Sequence, residues 1–377
     1  MGKKNDKNKI FLKIILVFFI IALFLFIMDY LFKDVTLNID LSNVLSEKRE
    51  IDLVQKDVTY NLREYPSMEF NVFFCPRDDC RGAVLEYFDL ANDELFCAFY
   101  DLNLMDFSEK LLEVSERGVN VSIVTDDEYL KREPLQKLFN TNIEIFSDLE
   151  RGTRFNNYMH NKFCIIDEKY VLTGSANPTQ TEILRNDNDV IIFESKYLAR
   201  NFKNEFLQLS AGYFGYNKVS YLEYNNITLV FDDEEILISS YMCPQDNCDR
   251  VLIDILDKAE EEILFSTFVF TNNNFANVLK EKNEMGLTVK GVIESRSVSS
   301  TGTVYPELSN LFSFKIDRAH GTMHHKYFVV DGKYIVTGSM NPSRAGVEFN
   351  DENILVIENE NLAQLYREQF YIIYDRN

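Results

Sequence analysis

The chain has 377 residues, and its 60 acidic and 39 basic side chains give a formal net charge of −21 at pH 7. Hydrophobic residues make up 46% of the sequence, so a chain of this length can bury two good cores. The acidic balance is unlike that of a protein that grips many phosphates, which weakens a nuclease function without excluding it, because a local cationic cleft can exist on an acidic protein. The same charge opposes broad adhesion to anionic lipid.

The first predicted element is an uncleaved membrane anchor. Five lysines between residues 3 and 13 precede an uncharged apolar run, 14–28, which residues 30–32 extend past Asp29. The run reaches about 20 residues if Lys13 and Asp29 snorkel to the interface. No small-x-small cleavage site follows, so we expect a signal anchor rather than a removed signal peptide. The lysines predict a cytoplasmic N-terminus, with residues 1–32 as cytoplasmic tip and transmembrane segment and 33–68 as a stalk outside.

An internal repeat follows the predicted stalk. A Cys-Pro-x-Asp-x-Cys segment occurs at residues 75–80 and again at 243–248, an offset of 168. The duplication predicts two tandem halves, 69–214 and 215–377, with no Pro/Gly/Ser linker between them. We expect an α/β sandwich with a central sheet in each half, and the halves packed about a pseudo-twofold axis.

Each half is predicted to run strand, helix, strand, helix, strand, hairpin and final helix. In the first half we expect strands at 71–74, 95–100 and 119–125 and a helix over 81–91. Ser108 is predicted to cap a second helix that ends near Gly118.

A polar signature recurs within the hairpins at identical spacing, 164 positions apart. Six residues are the same in each copy, and one of them is a histidine. The chain has only four histidines in all, so finding one in each copy is not readily explained by chance. The first copy comprises His160, Lys162, Asp167, Gly174, Ser175 and Asn177, and the second comprises His324, Lys326, Asp331, Gly338, Ser339 and Asn341.

The spacing predicts that the polar side chains of each copy converge. Residues i and i+2 of a strand share a face, so His160 and Lys162 emerge side by side. A two-residue turn at 168–169 would place Lys162 opposite Ser175 and His160 opposite Asn177. The second copy would likewise place Lys326 opposite Ser339 and His324 opposite Asn341. An imidazole, an ammonium, a hydroxyl and a carboxamide suit an anionic ligand, most simply a phosphate. The alternative, a structural hairpin with polar ends, does not explain why all six residues recur.

This HxKx4Dx6GSxN pattern resembles the phospholipase D superfamily, which includes phospholipases, cardiolipin synthases and Nuc-type endonucleases, over residues 69–377. The resemblance implies a phosphodiesterase in which one histidine forms a covalent phosphohistidine and the other protonates the leaving alcohol. Lysines and asparagines would hold the phosphoryl oxygens without a metal or other cofactor. Both motifs lie in one chain, so we expect an active monomer. The implied catalytic residues are His160, Lys162, Asp167, His324, Lys326 and Asp331, and the implied phosphate-binding or supporting residues are Ser175, Asn177, Ser339, Asn341, Asn188 and Glu352.

The two copies differ where the family often has an acidic residue, about 28 positions after the histidine. The matching positions are Asn188 and Glu352, and the family's acid reaches across to the other half's histidine. We expect Glu352 to orient His160 and make it the nucleophile, with His324 beside neutral Asn188 as general acid. A register slip would give the acidic role to Asp187 or Asp189.

The six cysteines fall into two groups. Two close pairs suit local disulfides in an oxidising compartment, which agrees with the predicted topology; the alternatives are reduced thiols or four zinc ligands. The other two cysteines lie in apolar strands and are expected in the core. The close pairs are Cys75 with Cys80 and Cys243 with Cys248, and the core pair is Cys97 and Cys164.

Three functions stay open at this point. An enzyme acting on membrane phospholipids, as hydrolase or phosphatidyltransferase, is favoured because an anchor would hold it beside its substrate. An extracytoplasmic nuclease is the second reading. A catalytically dead binding module is the third, and the complete motifs in both halves argue against it. His325 is expected to have a structural or surface role, and His320 lies in a loop near the second motif.

Overall fold

The computed structural model describes residues 62–67, 70–148, 157–231 and 234–377. The predicted anchor lies outside the described residues, as does the predicted stalk up to residue 61. Among the described residues, no helix is long and apolar enough to cross a membrane.

The first half forms a seven-stranded mixed sheet with helices on both faces. The predicted strands and helices are confirmed to within two residues at most ends, but the strands Glu144–Ser147 and Asn188–Glu194 were missed. In chain order the elements are β2 (Asn71–Cys75), α1 (Cys80–Asp89), β3 (Glu94–Phe99), α2 (Met105–Glu116), β4 (Asn120–Thr125), α3 (Glu133–Gln136), β5 (Glu144–Ser147), β6 (Lys162–Ile166), β7 (Tyr170–Gly174), α4 (Gln180–Leu184), β8 (Asn188–Glu194) and α5 (Lys196–Ser210).

The second half repeats this order. Its elements are β9 (Ile227–Phe231), β10 (Glu234–Cys243), α6 (Cys248–Asp257), β11 (Glu262–Thr267), α7 (Asn273–Glu284), β12 (Thr288–Glu294), α8 (Tyr305–Leu308), β13 (Ser313–Asp317), β14 (Lys326–Val330), β15 (Tyr334–Gly338), α9 (Arg344–Glu348), β16 (Glu352–Glu358) and α10 (Glu360–Asp375).

The two sheets have the same topology. The first has the strand order β2-β8-β7-β6-β3-β4-β5, and the second continues β10-β16-β15-β14-β11-β12-β13 after two additional edge strands. One of these is β9, and the other is β1 (Leu62–Glu64), which pairs in parallel with β9. Residues 62–64, predicted as part of a stalk, therefore belong to the folded body.

Three hydrophobic cores hold the layers together. One shared core contains side chains of both sheets and of α5 and α10. The other two pack α1 and α2 against the first sheet and α6 and α7 against the second. Strands β6 and β14, which follow the two histidines, are buried along their whole length, so the site rests on a fully buried part of each sheet.

Paired hydrogen bonds join the halves at matching places. Thr173 on β7 donates to the side-chain oxygen of Asn353 on β16, at 2.9 Å. Thr337 on β15 donates to Asp189 on β8, at 2.6 Å. Residue pairs 173/337 and 189/353 are each separated by 164 positions, so these contacts follow the predicted pseudo-twofold relation.

Ser108 does not cap α2. The helix begins at Met105, and Leu104 precedes it without a side-chain cap hydrogen bond. Ser108 is fully buried inside the first turn, and its hydroxyl has no hydrogen-bond partner among the described residues. The expectation failed because the apolar spacing of α2 continues one turn before the serine.

Candidate active site

Each of the two motif histidines is anchored by the backbone of the opposite half. The His160 N–H donates to the carbonyl oxygen of Asp351, and the His324 N–H donates to that of Asp187, both at 2.9 Å. Residues next to the histidines form matching isolated bridges, Met159 with Asp351 and Asp187 with Met323. The site is therefore built by both halves, as the duplication predicted.

Glu352 contacts His160 across the halves, and the predicted crossing is confirmed. Both Glu352 carboxylate oxygens lie 2.8 Å from Nδ1 of His160, and Glu352 is fully buried. Asn350 donates a further hydrogen bond to this carboxylate at 3.1 Å. A carboxylate at Nδ1 favours the tautomer with its proton on Nδ1, which leaves the Nε2 lone pair for chemistry.

His324 also has a carboxylate partner, which sequence reasoning missed. Asn188 is present as predicted, with its side-chain oxygen 2.9 Å from Nδ1 of His324. Glu182 on α4 places an oxygen at the same distance, 2.9 Å, from that nitrogen. The expectation that His324 has only a neutral partner is therefore wrong. Neither Asp187 nor Asp189 takes this role, since Asp187 binds Arg376 and Asp189 contacts His325.

Burial sets the protonation of both imidazoles. His160 and His324 are only 8% and 7% exposed. Desolvation lowers the pKa of each to about 4, against the opposing attraction of Glu352 and Glu182, respectively. Both imidazoles are therefore neutral at pH 7 in the ligand-free site.

The two motif lysines lie beside their histidines, as the i and i+2 spacing predicted. Nζ of Lys162 donates to the carbonyl oxygen of His160 at 2.6 Å, and Nζ of Lys326 donates to that of His324 at 2.7 Å. Nζ of Lys326 also lies 3.2 Å from Nε2 of His324. Burial lowers the pKa of Lys162 to about 7 and that of Lys326 to about 8.

The predicted hairpin register is wrong by one residue in both copies. Ile166 pairs with Tyr170, and Val330 pairs with Tyr334, so each hairpin has a three-residue loop. Continuing these registers places Lys162 opposite Gly174 rather than Ser175. In the second copy, Lys326 comes opposite Gly338 rather than Ser339, and the histidine-asparagine pairings shift equally.

The two aspartates of the motif cause this difference, because they belong to the loops. Asp167 accepts hydrogen bonds from the backbone N–H groups of residues 92, 93 and 94 at 2.9 Å. Asp331 accepts from those of residues 260, 261 and 262 at 2.8 to 2.9 Å. Both have positive φ and lie at the far ends of β6 and β14 from the histidines. The expected catalytic role for these two residues is corrected to a structural one.

The motif serines support neighbouring strands. Ser175 donates to the side chains of Asn188 and Asp189, at 3.0 and 2.8 Å. Ser339 accepts from the N–H of Asn353 at 2.9 Å. Ser175 thus helps to hold the amide that contacts His324.

The motif asparagines each have a side-chain oxygen without a partner in the described part of the protein. The side-chain oxygens of Asn177 and Asn341 are buried, and neither has a hydrogen-bond partner among the described residues. Unpaired buried amides are costly, and O and N of an amide are assigned from their surroundings. The matching pair is consistent with the predicted role in binding a ligand.

An aromatic ring covers each imidazole. The rings of Tyr100 and Phe268, which follow β3 and β11, lie 4.8 Å from those of His160 and His324, both at 63°. On the His160 side, Tyr129 and Tyr158 extend the aromatic surface, with centroids 4.9 and 5.5 Å from Tyr100. The two sides of the site therefore differ in aromatic character.

His325, which follows the second motif histidine, is structural. It is fully buried, and its Nδ1 lies 3.1 Å from Asp189. Tyr366 donates to the same carboxylate at 2.9 Å. His320 is exposed.

All six cysteines are paired in disulfides. The predicted bridges Cys75–Cys80 and Cys243–Cys248 are confirmed, with S–S distances of 2.01 and 1.97 Å. Cys97 and Cys164 are buried as expected but are also bonded to each other. They occupy directly paired positions on β3 and β6, a register that the sequence alone did not reveal.

One group of carboxylates in the described part of the chain is close enough to hold a cation. It consists of Asp126, Asp127 and Asp148. Asp126 is already engaged, since it accepts from the N–H groups of Met159 and Glu128 at 3.1 Å. Its second-half counterpart, Glu294, accepts from the N–H of Met323 at 3.0 Å. Both acids thus fix the residue before a motif histidine.

A family sequence model gives independent support for the class of protein. The model for "Cardiolipin synthase, PLD-like domain" matches residues 84–210 and 252–373, one stretch in each half. The chain therefore belongs to the phospholipase D-like family, and it is a phosphodiesterase of that family.

Similar proteins cover parts of the chain. Phospholipase D of Rickettsia felis is 28% identical over 172 residues, which are 45% of this chain and 84% of that protein. Mitochondrial cardiolipin hydrolase of Danio rerio is 31% identical over 128 residues, covering 33% of this chain and 55% of that protein. The structure of phosphatidylserine synthase from Haemophilus influenzae matches with a TM-score of 0.60 at 14% identity, covering 80% of this chain and 86% of that one. The similarity to the phosphatidylserine synthase structure supports the assignment of the fold.

Proposed function

We propose that this chain cleaves or transfers a phosphodiester of a membrane phospholipid through a covalent phosphohistidine, without a metal. The observation that carries the mechanism is the pair of imidazoles, His160 and His324, each with a carboxylate oxygen within 2.9 Å of Nδ1. Nε2 is then the reacting nitrogen of each ring. Two such groups and two buried lysines form the set of groups needed for covalent phosphoryl transfer.

His160 is proposed as the nucleophile. Its Nε2 attacks phosphorus, and the bond from phosphorus to the leaving alcohol breaks. Lys326 donates toward Nε2 of His324 at 3.2 Å, which engages the lone pair that an attacking His324 would need. The sequence-based reason for this assignment was that His324 has only a neutral partner, and that reason does not hold. The assignment now rests on the contact between Lys326 and His324.

His324 is proposed as general acid and then general base. As the anionic substrate binds, its negative charge raises the pKa of His324, and Nε2 gains a proton from solvent to give the imidazolium. His324 then donates this proton to the leaving alkoxide. It then takes a proton from water or a second alcohol, which attacks phosphorus and breaks the P–N bond. Lys162 and Lys326 stabilise the charge on the phosphoryl oxygens.

A phospholipid is favoured as substrate by the similar proteins, and the net charge counts against the nucleic-acid alternative. Proteins similar to this chain are named phospholipase D and mitochondrial cardiolipin hydrolase. A net charge of −21 disfavours a long nucleic-acid footprint. The alternative, a nuclease, is favoured by the aromatic surface of Tyr100, Tyr129 and Tyr158, on which bases could stack.

We also propose an extracytoplasmic body on an N-terminal membrane anchor. The lysine-rich tip before an apolar run supports the orientation. The three disulfides support an oxidising compartment.

The test compares substrates on the full chain in detergent micelles. We expect turnover of labelled phospholipids to exceed that of single-stranded DNA and to survive a chelator. His160→Ala and His324→Ala should each lower kcat by at least ~10³-fold. Glu348→Gln, at a half-exposed position on α9, is the control. Chelator-sensitive activity, or activity that survives both histidine substitutions, contradicts the mechanism. Preferential cleavage of DNA contradicts the substrate.

A further inference from the structure

We infer that Glu182 is the positioning residue of His324, and that its carboxylate has moved from the sheet to a neighbouring helix in the first half. The inference rests on the proposed function and adds a residue to its machinery. Glu182 lies 2.9 Å from Nδ1 of His324, where Glu352 lies 2.8 Å from Nδ1 of His160. Each histidine thus has a carboxylate oxygen close to Nδ1, and the two carboxylates come from non-equivalent positions of the repeat.

The two halves have side chains of different size at the matching helix position, 182 in the first half and 346 in the second. Glu182 and Gly346 occupy matching places, because their N–H groups donate to the cap residues Thr179 and Ser343 at 3.2 and 3.1 Å. A Cβ at Gly346 would lie 2.3 Å from the backbone oxygen of Asn341, so no side chain fits there. The second half therefore carries its carboxylate on β16, and the first half carries it on α4.

Asn188 completes the relocated arrangement. Its amide nitrogen donates to the Glu182 carboxylate at 2.7 Å and to the Glu182 backbone oxygen at 3.0 Å. Its side-chain oxygen lies 2.9 Å from Nδ1 of His324. Asn188 on β8 thus holds in place the Glu182 carboxylate, which takes the role that Glu352 has in the other half.

The charge environment suits this role. Burial opposes ionisation of Glu182, but the interactions with His324, Lys326 and Asn188 outweigh it and lower the carboxyl pKa to about 2. An ionised Glu182 holds the proton on Nδ1 and stabilises the imidazolium that His324 must form to protonate the leaving group.

The first half also has a hydrogen-bond donor for a carboxylate placed on β8 at position 188. In the second half, Asn350 accepts the N–H of Tyr158 at 3.1 Å and donates to Glu352 at 3.1 Å. In the first half, Asn186 accepts the N–H of Thr322 at 2.9 Å in the same way. A glutamate at position 188 would therefore meet the Asn186 amide, as Glu352 meets Asn350.

The first readout is the tautomer of His324, measured by ¹⁵N NMR on the histidine-labelled full chain. The chain has four histidines, and His324→Asn identifies the signal. We expect Glu182→Ala to convert the fixed Nδ1–H tautomer to a mixture, and Glu182→Ala/Asn188→Glu to restore it. An unchanged His324 signal in Glu182→Ala overturns the inference, whatever the substrate is. Glu182→Gln, which keeps the side-chain volume, serves if Glu182→Ala unfolds.

The second readout is hydrolysis of bis(p-nitrophenyl) phosphate and of the phospholipid found to be the better substrate. Glu182→Ala should lower kcat by ~10²- to 10⁴-fold, by analogy with removal of the carboxylate behind a catalytic histidine. The kcat of Glu182→Ala/Asn188→Glu should be at least about tenfold higher than that of Glu182→Ala. The kcat of Glu348→Gln should equal that of the wild-type protein. No rescue in the double variant contradicts the relocation. If His324→Ala is inactive but Glu182→Ala is not impaired, only this inference fails; if His324→Ala is active, the proposed function fails.

Discussion

At the residue scale, burial brings the two motif lysines into the physiological pH range. The pKa values of Lys162 and Lys326 fall to about 7 and about 8, because burial disfavours the charged ammonium. Both ammonium groups lose their protons as pH rises through these values. The site then loses the positive charge that should bind a phosphoryl group.

We therefore predict an alkaline limb in kcat/KM with an apparent pKa of about 7 to about 8, which belongs to the lysine pair. Lys162→Arg should move this limb to higher pH, since a guanidinium stays charged. Lys258→Arg, on the exposed end of α6, is the control. A kcat/KM that does not fall between about pH 6 and about pH 10 would contradict this account.

The sequence located the residues of the site better than it located their neighbours. The contact between Glu352 and His160 could be predicted because it follows from a repeated position in the family pattern. Glu182 could not, since it lies outside the shared signature and its counterpart is a glycine. The first half has glutamate at 182 and asparagine at 188, whereas the second half has glycine at 346 and glutamate at 352. This reversed pattern is the sequence signal that the carboxylate lies on the helix in one half and on the sheet in the other.

At the element scale, the motif aspartates fix the hairpins to the sheet. Asp331 accepts three backbone N–H groups from the segment that enters β11. We predict that Asp331→Ala lowers the free energy of unfolding by about 2 kcal/mol or more, because three donors lose a charged acceptor, and changes kcat by less than about threefold. Chemical denaturation and steady-state kinetics measure the two effects, with Asp375→Ala at the exposed end of α10 as control.

A loss of kcat in Asp331→Ala comparable to that of His324→Ala, with no loss of stability, would restore the catalytic role.

The hairpin register shows where local sequence reasoning stops. A two-residue turn is the favoured connection for the Asp-Gly pair at 331–332. The aspartate instead bonds to a third strand that is distant in sequence, so it joins the loop and shifts the register by one. The duplication and the alternation of the first strands and helices could be predicted, because they depend on the repeat and on apolar periodicity. The order of the strands within each sheet could not, because it depends on pairing between segments that are distant in the sequence.

At the scale of the whole molecule, buried ion pairs hold together the loops that shape the site. Lys218 contacts Glu205 and, at 2.9 Å, Asp351, and all three side chains are fully buried. The carbonyl oxygen of Asp351 accepts the His160 N–H, so this cluster supports one motif histidine. In the matching place, the partly exposed Arg376 binds Asp187, whose carbonyl accepts the His324 N–H.

We predict that Lys218→Met lowers the free energy of unfolding by about 3 to 5 kcal/mol, because it leaves two carboxylates buried without their ammonium partner. Urea denaturation should give a smaller loss for Arg376→Met, whose side chain is 29% exposed. Lys258→Met is the surface control. A Lys218→Met protein as stable as the Lys258→Met protein would show that the cluster contributes nothing.

The central claim, a covalent intermediate on a two-histidine site, is tested most directly by trapping it in His324→Ala with bis(p-nitrophenyl) phosphate. The p-nitrophenolate leaves without a proton, so the first step does not need His324, whereas the second step lacks its base and slows. Mass spectrometry after an alkaline quench should find one p-nitrophenyl phosphoryl adduct, on His160. Burst release of p-nitrophenol with no adduct on His160 would contradict the account.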